Sequence, residues 1–146
     1  MAKREKSSQD GSWKVEVEAF HTGLGVYTAF GVKTRVFEKR KPDWWQKLMG
    51  KRESWAPVNA DTVSANGVLG VSQYPGVTGP IPGSPALASN SSEVECRAWQ
   101  IGIGIRVVPF DPKPGPGPGM IVDLVTGYGS ASRGGEIVTV GPVTQH

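Results

Sequence analysis

Apolar and polar residues alternate along much of this chain. In SWKVEVEAF, residues 12–20, Trp13, Val15, Val17 and Ala19 share one parity, while Lys14, Glu16 and Glu18 share the other. A period of two with charge on one side predicts a half-buried strand. VYTAFGVKTRVF, residues 26–37, repeats the pattern, with Val26, Phe30, Val32 and Val36 opposite Lys33 and Arg35. The two runs predict an antiparallel hairpin closed by HTGLG, a connection of about five residues. Residues 55–73 alternate again through Val63, Ala65, Leu69 and Val71. They predict one strand, bent or bulged at Gly67, in preference to a turn at Asn66-Gly67.

EVECRAWQIGIGIRVVPF, residues 93–110, changes phase. Val94, Cys96 and Ala98 have one parity; Trp99, Ile101, Ile103 and Ile105 have the other. That predicts a bulge, or one strand serving two sheets, with Gly102 and Gly104 leaving a bare backbone face. MIVDLV and EIVTV supply the last strands, and TGYGSASRGG reads as a flexible loop between them.

One stretch breaks the alternation. In PDWWQKLMG, residues 42–50, Trp44 and Leu48 are four apart, as are Trp45 and Met49. Pro42 suits a first helical position and Gly50 a C-terminal stop. A helix of about two turns is predicted near 42–49, too short to stand alone in water, so it must lean on something. Residues 1–12 read as a flexible polar arm. Residues 74–92 and 111–119 read as Pro/Gly-rich loops without strand or helix, and the apolar Val77, Ile81 and Leu87 of the first suit packing against a neighbour. The 20 glycines and 12 prolines reinforce short strands joined by many turns. The expected fold is all-β, a single-domain antiparallel sandwich or open barrel over 13–146, with six to seven strands and one short inserted helix.

Charge sharpens the picture. The chain carries +3 overall, but residues 33–53 alone hold eight basic residues against three acidic ones. Residues 39–55, KRKPDWWQKLMGKRESW, combine three of the five tryptophans with six of the sixteen basic residues. A local basic patch with aromatics points to a contact surface for an anionic or mixed partner. Trp44, Trp45 and Trp55 are the candidate hydrophobic anchors; Arg40, Lys41, Lys47 and Arg52 are the candidate charged surround. Three arrangements compete. The aromatics could cap the domain's own core as a lid with solvated lysines outside. They could enter a membrane interface with the basic residues on anionic headgroups. They could anchor a protein or nucleic acid. The low overall charge, and the lack of an aromatic series on a sheet face, argue against nucleic acid.

Catalytic signals are thin. Cys96 is the single cysteine and His21 the one internal histidine. Such a sequence has no Cys/His zinc pattern, and neither metal nor cofactor is expected. Gly127-Tyr128-Gly129 follows an apolar run, but a dinucleotide turn needs a helix next, and another strand pattern follows instead. His21 is the best candidate general base if the chain is a small hydrolase. Cys96 lies among apolar parity-mates and reads as a buried structural thiol. No residue is assigned a catalytic role.

The reading is a non-catalytic interaction or structural module, contacting a protein partner or further copies of itself through the 39–55 insertion and the long loops. Fold-level analogy places it with repeated subunits of virion-like or secretion-type particles. The alternative is a peripheral membrane-surface binder using the same insertion. MAKREKSSQD is not followed by an apolar run, and no window approaches a membrane span. The expectation is synthesis in the cytoplasm, with export or assembly left to a dedicated machine.

Overall fold

The computed structural model describes residues 2–24, 27–50, 53–70, 78–101, 107–108 and 122–146. The fold is an all-β sandwich of two antiparallel sheets. Sheet A contains β1 (Ala2–Ser7), β2 (Trp13–Leu24), β3 (Tyr27–Arg40), β4 (Ser54–Pro57), β8 (Glu93–Ile101) and β9 (Val107–Val108). Sheet B contains β5 (Ala60–Gly70), β6 (Thr78–Pro80), β7 (Ala86–Ser91), β10 (Leu124–Arg133) and β11 (Glu136–Gln145). The described residues thus form eleven strands where six to seven were expected.

Each sheet is organised around a long strand. One edge of β3 pairs with β2 from Tyr27 to Glu38. Its other edge is shared, Tyr27 to Arg35 pairing with β8 and Phe37 to Arg40 with β4. Between those partners, the Val36 N–H donates to the Ser92 carbonyl, and the Val36 carbonyl accepts from the Val58 N–H. The edge therefore has no backbone gap where the chain crosses between sheets. In sheet B, β5 pairs with β10 on one edge and with β7 and β6 on the other.

The core lies between the sheets, on the parity the alternation marks. Val15, Val17, Ala19, Phe30, Val32 and Val36 face inward from sheet A, and Val63, Ala65, Leu69, Val125, Val138 and Val140 from sheet B. Small residues let the layers approach. A Cβ on Gly127 would lie 2.8 Å from Val32 Cγ1, and one on Gly129 would overlap Val17 and Thr34. Val122, just before β10, joins the layers by polar contacts. Its N–H donates to the buried Gln100 Oε1 at 3.1 Å, and its carbonyl accepts from His21 Nε2 at 2.9 Å.

Several expectations are corrected. Residues 2–7 of the supposed arm form β1, paired with β2 from Ala2↔Ala19 to Ser7↔Lys14. The turn that follows is clamped by Asp10, whose Oδ1 accepts from Ser8 Oγ, the Ser12 N–H and Ser12 Oγ at 2.7–2.9 Å. The supposed 74–92 loop contains β6 and β7, and its Ile81 is fully buried in the chain's own core. TGYGSASR is strand, not loop: β10 runs through it to Arg133, and the reversal is confined to Gly134 and Gly135, both at positive φ. HTGLG is mostly strand as well, since the β2–β3 register continues to Leu24↔Tyr27. Gly67 is paired within a continuous β5; the sheet's irregularity falls instead between Gly127 and Gly129, against β11. Cys96 and Ala98 face inward and Trp99 outward, as their parities require. The phase change between Ala98 and Trp99 brings no bulge, since β8 pairs with β3 in regular register from Glu93 to Ile101. The glycines at 102 and 104 and the 111–119 loop lie outside the described residues.

Candidate functional site: an exposed aromatic tip

Arg40 pairs with Ser54 at the shared end of β3 and β4, and residues 41–50 lie beyond that end of sheet A. Within it is α1, Trp44–Leu48, a single helical segment. Its order comes from its ends. The Gln46 N–H donates to Asp43 Oδ1 at 2.8 Å, and the Asp43 N–H donates to Gln46 Oε1 at 3.2 Å. This reciprocal capping satisfies donors that a helix start leaves free. At the other end Gly50 takes φ +77°, a left-handed stop that a side chain would disfavour. The helix begins two residues later than Pro42 implied, because Asp43 is the cap and Pro42 precedes it.

The decisive observation is what this helix buries: none of its residues. Trp44 is 63% exposed and Trp45 60%, and Leu48 and Met49 are each 72% exposed. The two indoles stack on one another, centroids 4.5 Å apart at an interplanar angle of 29°. The expectation that the helix must lean on the body is therefore corrected, and the lid arrangement with it. Capping and the indole–indole contact replace tertiary packing.

The basic residues of the segment divide into neutralised and free. Lys33 and Arg35, on the outer face of sheet A, sit in a ladder with Glu16, Glu18 and Glu93 at 3.5–3.7 Å. Lys39 meets Glu53 at 3.2 Å, and Arg40 Nε meets Glu38 at 3.4 Å. Glu38 is also bound by Arg133 of the opposite sheet. Lys41 and Lys47 are exposed, and among the described residues neither makes an ion pair within 4.0 Å. Unneutralised positive charge therefore lies beside the exposed tryptophans. Lys51 and Arg52 fall outside the described residues.

Trp55 is set apart from the other two anchors. It belongs to β4, opposite Lys39, and lies flat among cations on the outer face of sheet A. Lys14 Nζ is 4.5 Å from its ring centroid and Lys39 Nζ 5.8 Å. At 38% exposure it is a partly covered element of the sheet surface, not of the tip. Sequence proximity grouped three tryptophans that the fold separates into two environments.

The catalytic candidates are likewise apart. His21 Nε2 is committed to the Val122 carbonyl, which can only accept, so Nε2 carries the proton. Cys96 is buried beside the Val32 carbonyl, and burial pushes its thiol above the ordinary range. β3 separates the strands that carry them, placing their backbones about 10 Å apart from strand spacing alone. Among the described residues no cluster of three or more His, Cys, Asp or Glu side chains could hold a metal. Gly127-Tyr128-Gly129 lies inside β10, with no helix after it to receive a pyrophosphate.

Comparison with protein-family models, with curated proteins and with solved structures found no match.

Proposed function

We propose that the chain is a non-catalytic interaction module, a structural subunit that docks a partner with the Trp44/Trp45 tip of the 39–55 segment. The observation that carries this reading is the exposure of Trp44, Trp45, Leu48 and Met49 on a helix that contributes nothing to the core. Four large apolar side chains on a capped projection cost solubility and return no folding stability. Covering the exposed parts of the two indoles alone would return on the order of 5 kcal/mol before the costs of association. Tryptophans of this kind are typical binding anchors.

A second reading, an anionic membrane surface as the partner, is favoured by one observation. Lys41 and Lys47 carry free charge beside the indoles, the combination that suits headgroups above a shallowly inserted aromatic pair.

A photocrosslinking amino acid at position 45, with position 3 on the outer face of sheet A as control, tests both in the cells that make the protein. Discrete protein adducts at position 45 alone support the module reading. Lipid adducts move the assignment to the membrane. No adduct specific to position 45 overturns the tip as a docking element.

A further inference from the structure

The two outer faces of the sandwich have opposite chemistry. On sheet A the outward residues form a mosaic of acids and bases, including Lys3, Glu16, Glu18, Lys33, Arg35 and Glu93. On sheet B the outward-facing side chains of β5, β7, β10 and β11, between Thr62 and Thr144, include no acidic or basic group. The chain as a whole is 20% charged, so a four-strand face without charge is a marked departure. The same face exposes Leu87 and Ile137 at 72% and 73%, near its two edges, and Tyr128 at 40% between them.

Many of its polar groups are already paired with one another. Thr62 and Ser132 hydroxyls pair at 2.7 Å, Ser64 and Ser130 at 2.6 Å, and Thr126 and Thr144 at 3.3 Å. Ser84 Oγ donates to Asn66 Oδ1 at 2.5 Å. Desolvation penalises a polar group chiefly when its hydrogen bonds are lost. Hydroxyls that bond across strands can be covered by a neutral surface at small cost. Charged side chains, which blunt sheets against unwanted association, are missing from this face and abundant on the other.

From this we infer that the outer face of sheet B is the contact between copies of the chain, with a second sheet B face as its occupant. The inference deepens the assembly part of the proposed function and rests on it; it is independent of the tip. An uncharged face is self-complementary, because a symmetry mate brings no like charge against itself. Its size fits. β5 and β10 run in register over nine residue pairs. With strand spacings of about 4.8 Å and rises of about 3.4 Å, four strands present ~550 Å² per copy, or ~1,100 Å² for two. That clears the ~1,000 Å² expected of a specific interface. The exposed Leu87, Tyr128 and Ile137 supply its apolar contacts.

The test is sedimentation equilibrium of the full chain over a wide concentration range. It compares the wild type, Leu87→Lys/Ile137→Lys, Thr139→Lys and Trp44→Ala/Trp45→Ala, each checked for native circular dichroism. The expected result is a wild-type mass at a multiple of 15.5 kDa. Both lysine-bearing face variants should associate at least tenfold more weakly, and the tip variant should match the wild type. Association should not weaken with salt, since no ion pairs hold it. A wild type that associates while both face variants do so equally well overturns this interface and leaves the assembly reading in place. Association lost only in the tip variant also overturns it. A wild type monomeric at every concentration overturns both the interface and the assembly reading.

Discussion

Among the described residues Trp44 stacks on Trp45 and on no ring in the body of the sandwich, whereas Trp55, ten residues from Trp45, lies against Lys14 of β2, across the intervening β3. Truncation should tell the two environments apart. Trp44→Ala/Trp45→Ala should leave the unfolding free energy from denaturant titration within about 0.5 kcal/mol of the wild type, because surface changes that remove no packing are nearly neutral. Trp55→Ala should cost about 1–2 kcal/mol, from its covered area and the loss of the cation contacts. Equal losses for both would mean that the tip packs on the body.

The helix itself should be separable from the fold. Asp43→Ala removes the cap side chain that receives the Gln46 N–H. Losing such a cap costs a helix about 1 kcal/mol, enough to melt one this short. Proton chemical shifts of residues 44–48 should move toward coil values while the cooperative melting temperature stays unchanged. A fall of several degrees would show that the helix supports the core.

Close approach of the sheets sets the next expectation. Gly129→Ala should destabilise by about 1–3 kcal/mol, since the new methyl overlaps Val17 and Thr34. Thr34 invites the opposite change. Its side chain is fully buried, and among the described residues its hydroxyl has no hydrogen-bond partner. Thr34→Val keeps the shape and removes an unsatisfied group, so it should stabilise by about 1 kcal/mol in chemical denaturation. A loss of stability would reveal a partner for that hydroxyl.

Asp10 gives a pH signature. Hydrogen bonds from Ser12 and Ser8 hold its carboxyl down from 3.8 to about 2. A depressed carboxyl contributes stability that is complete above its unfolded value and lost as pH falls through the folded one. The melting-temperature difference between wild type and Asp10→Asn should therefore be constant above pH 4 and shrink toward zero as pH falls through about 2. A difference that persists unchanged to the lowest pH would mean the carboxylate charge plays no part in the turn.

The parts of the fold that alternation marks were legible in the sequence. Val15/Val17/Ala19 and Val63/Ala65/Leu69 face the core as their parity requires. β10 beyond Val125 was not, because its further inward positions are Gly127, Gly129 and Ala131, whose period of two is one of size and not of hydrophobicity. Those glycines read as loop residues until Val32, Val17 and Thr34 are placed against them. β1 was hidden for another reason. Its Lys3 and Glu5 find opposite charges on β2, at Glu18 and Lys14, only once the strands are paired. At the site, spacing predicted the helix and its glycine stop but not its exposure. Trp44, Trp45, Leu48 and Met49 share one face of the helix, within an arc of about 140°, the pattern of a core-facing stripe. Spacing alone does not show that the fold leaves this face uncovered. The uncharged face of sheet B became visible only when the register brought Ser and Thr of separate strands together.

The most direct test of the central claim is fluorine NMR of the full chain labelled with 5-fluorotryptophan, the resonances assigned by single Trp→Phe substitutions. The account predicts that the Trp44 and Trp45 signals show the largest solvent-isotope shifts of those of Trp13, Trp44, Trp45, Trp55 and Trp99, with Trp13, buried in the core, the smallest. Tip signals as protected as that of Trp13 would contradict it, and would return the aromatics of residues 44–49 to the protein's own core.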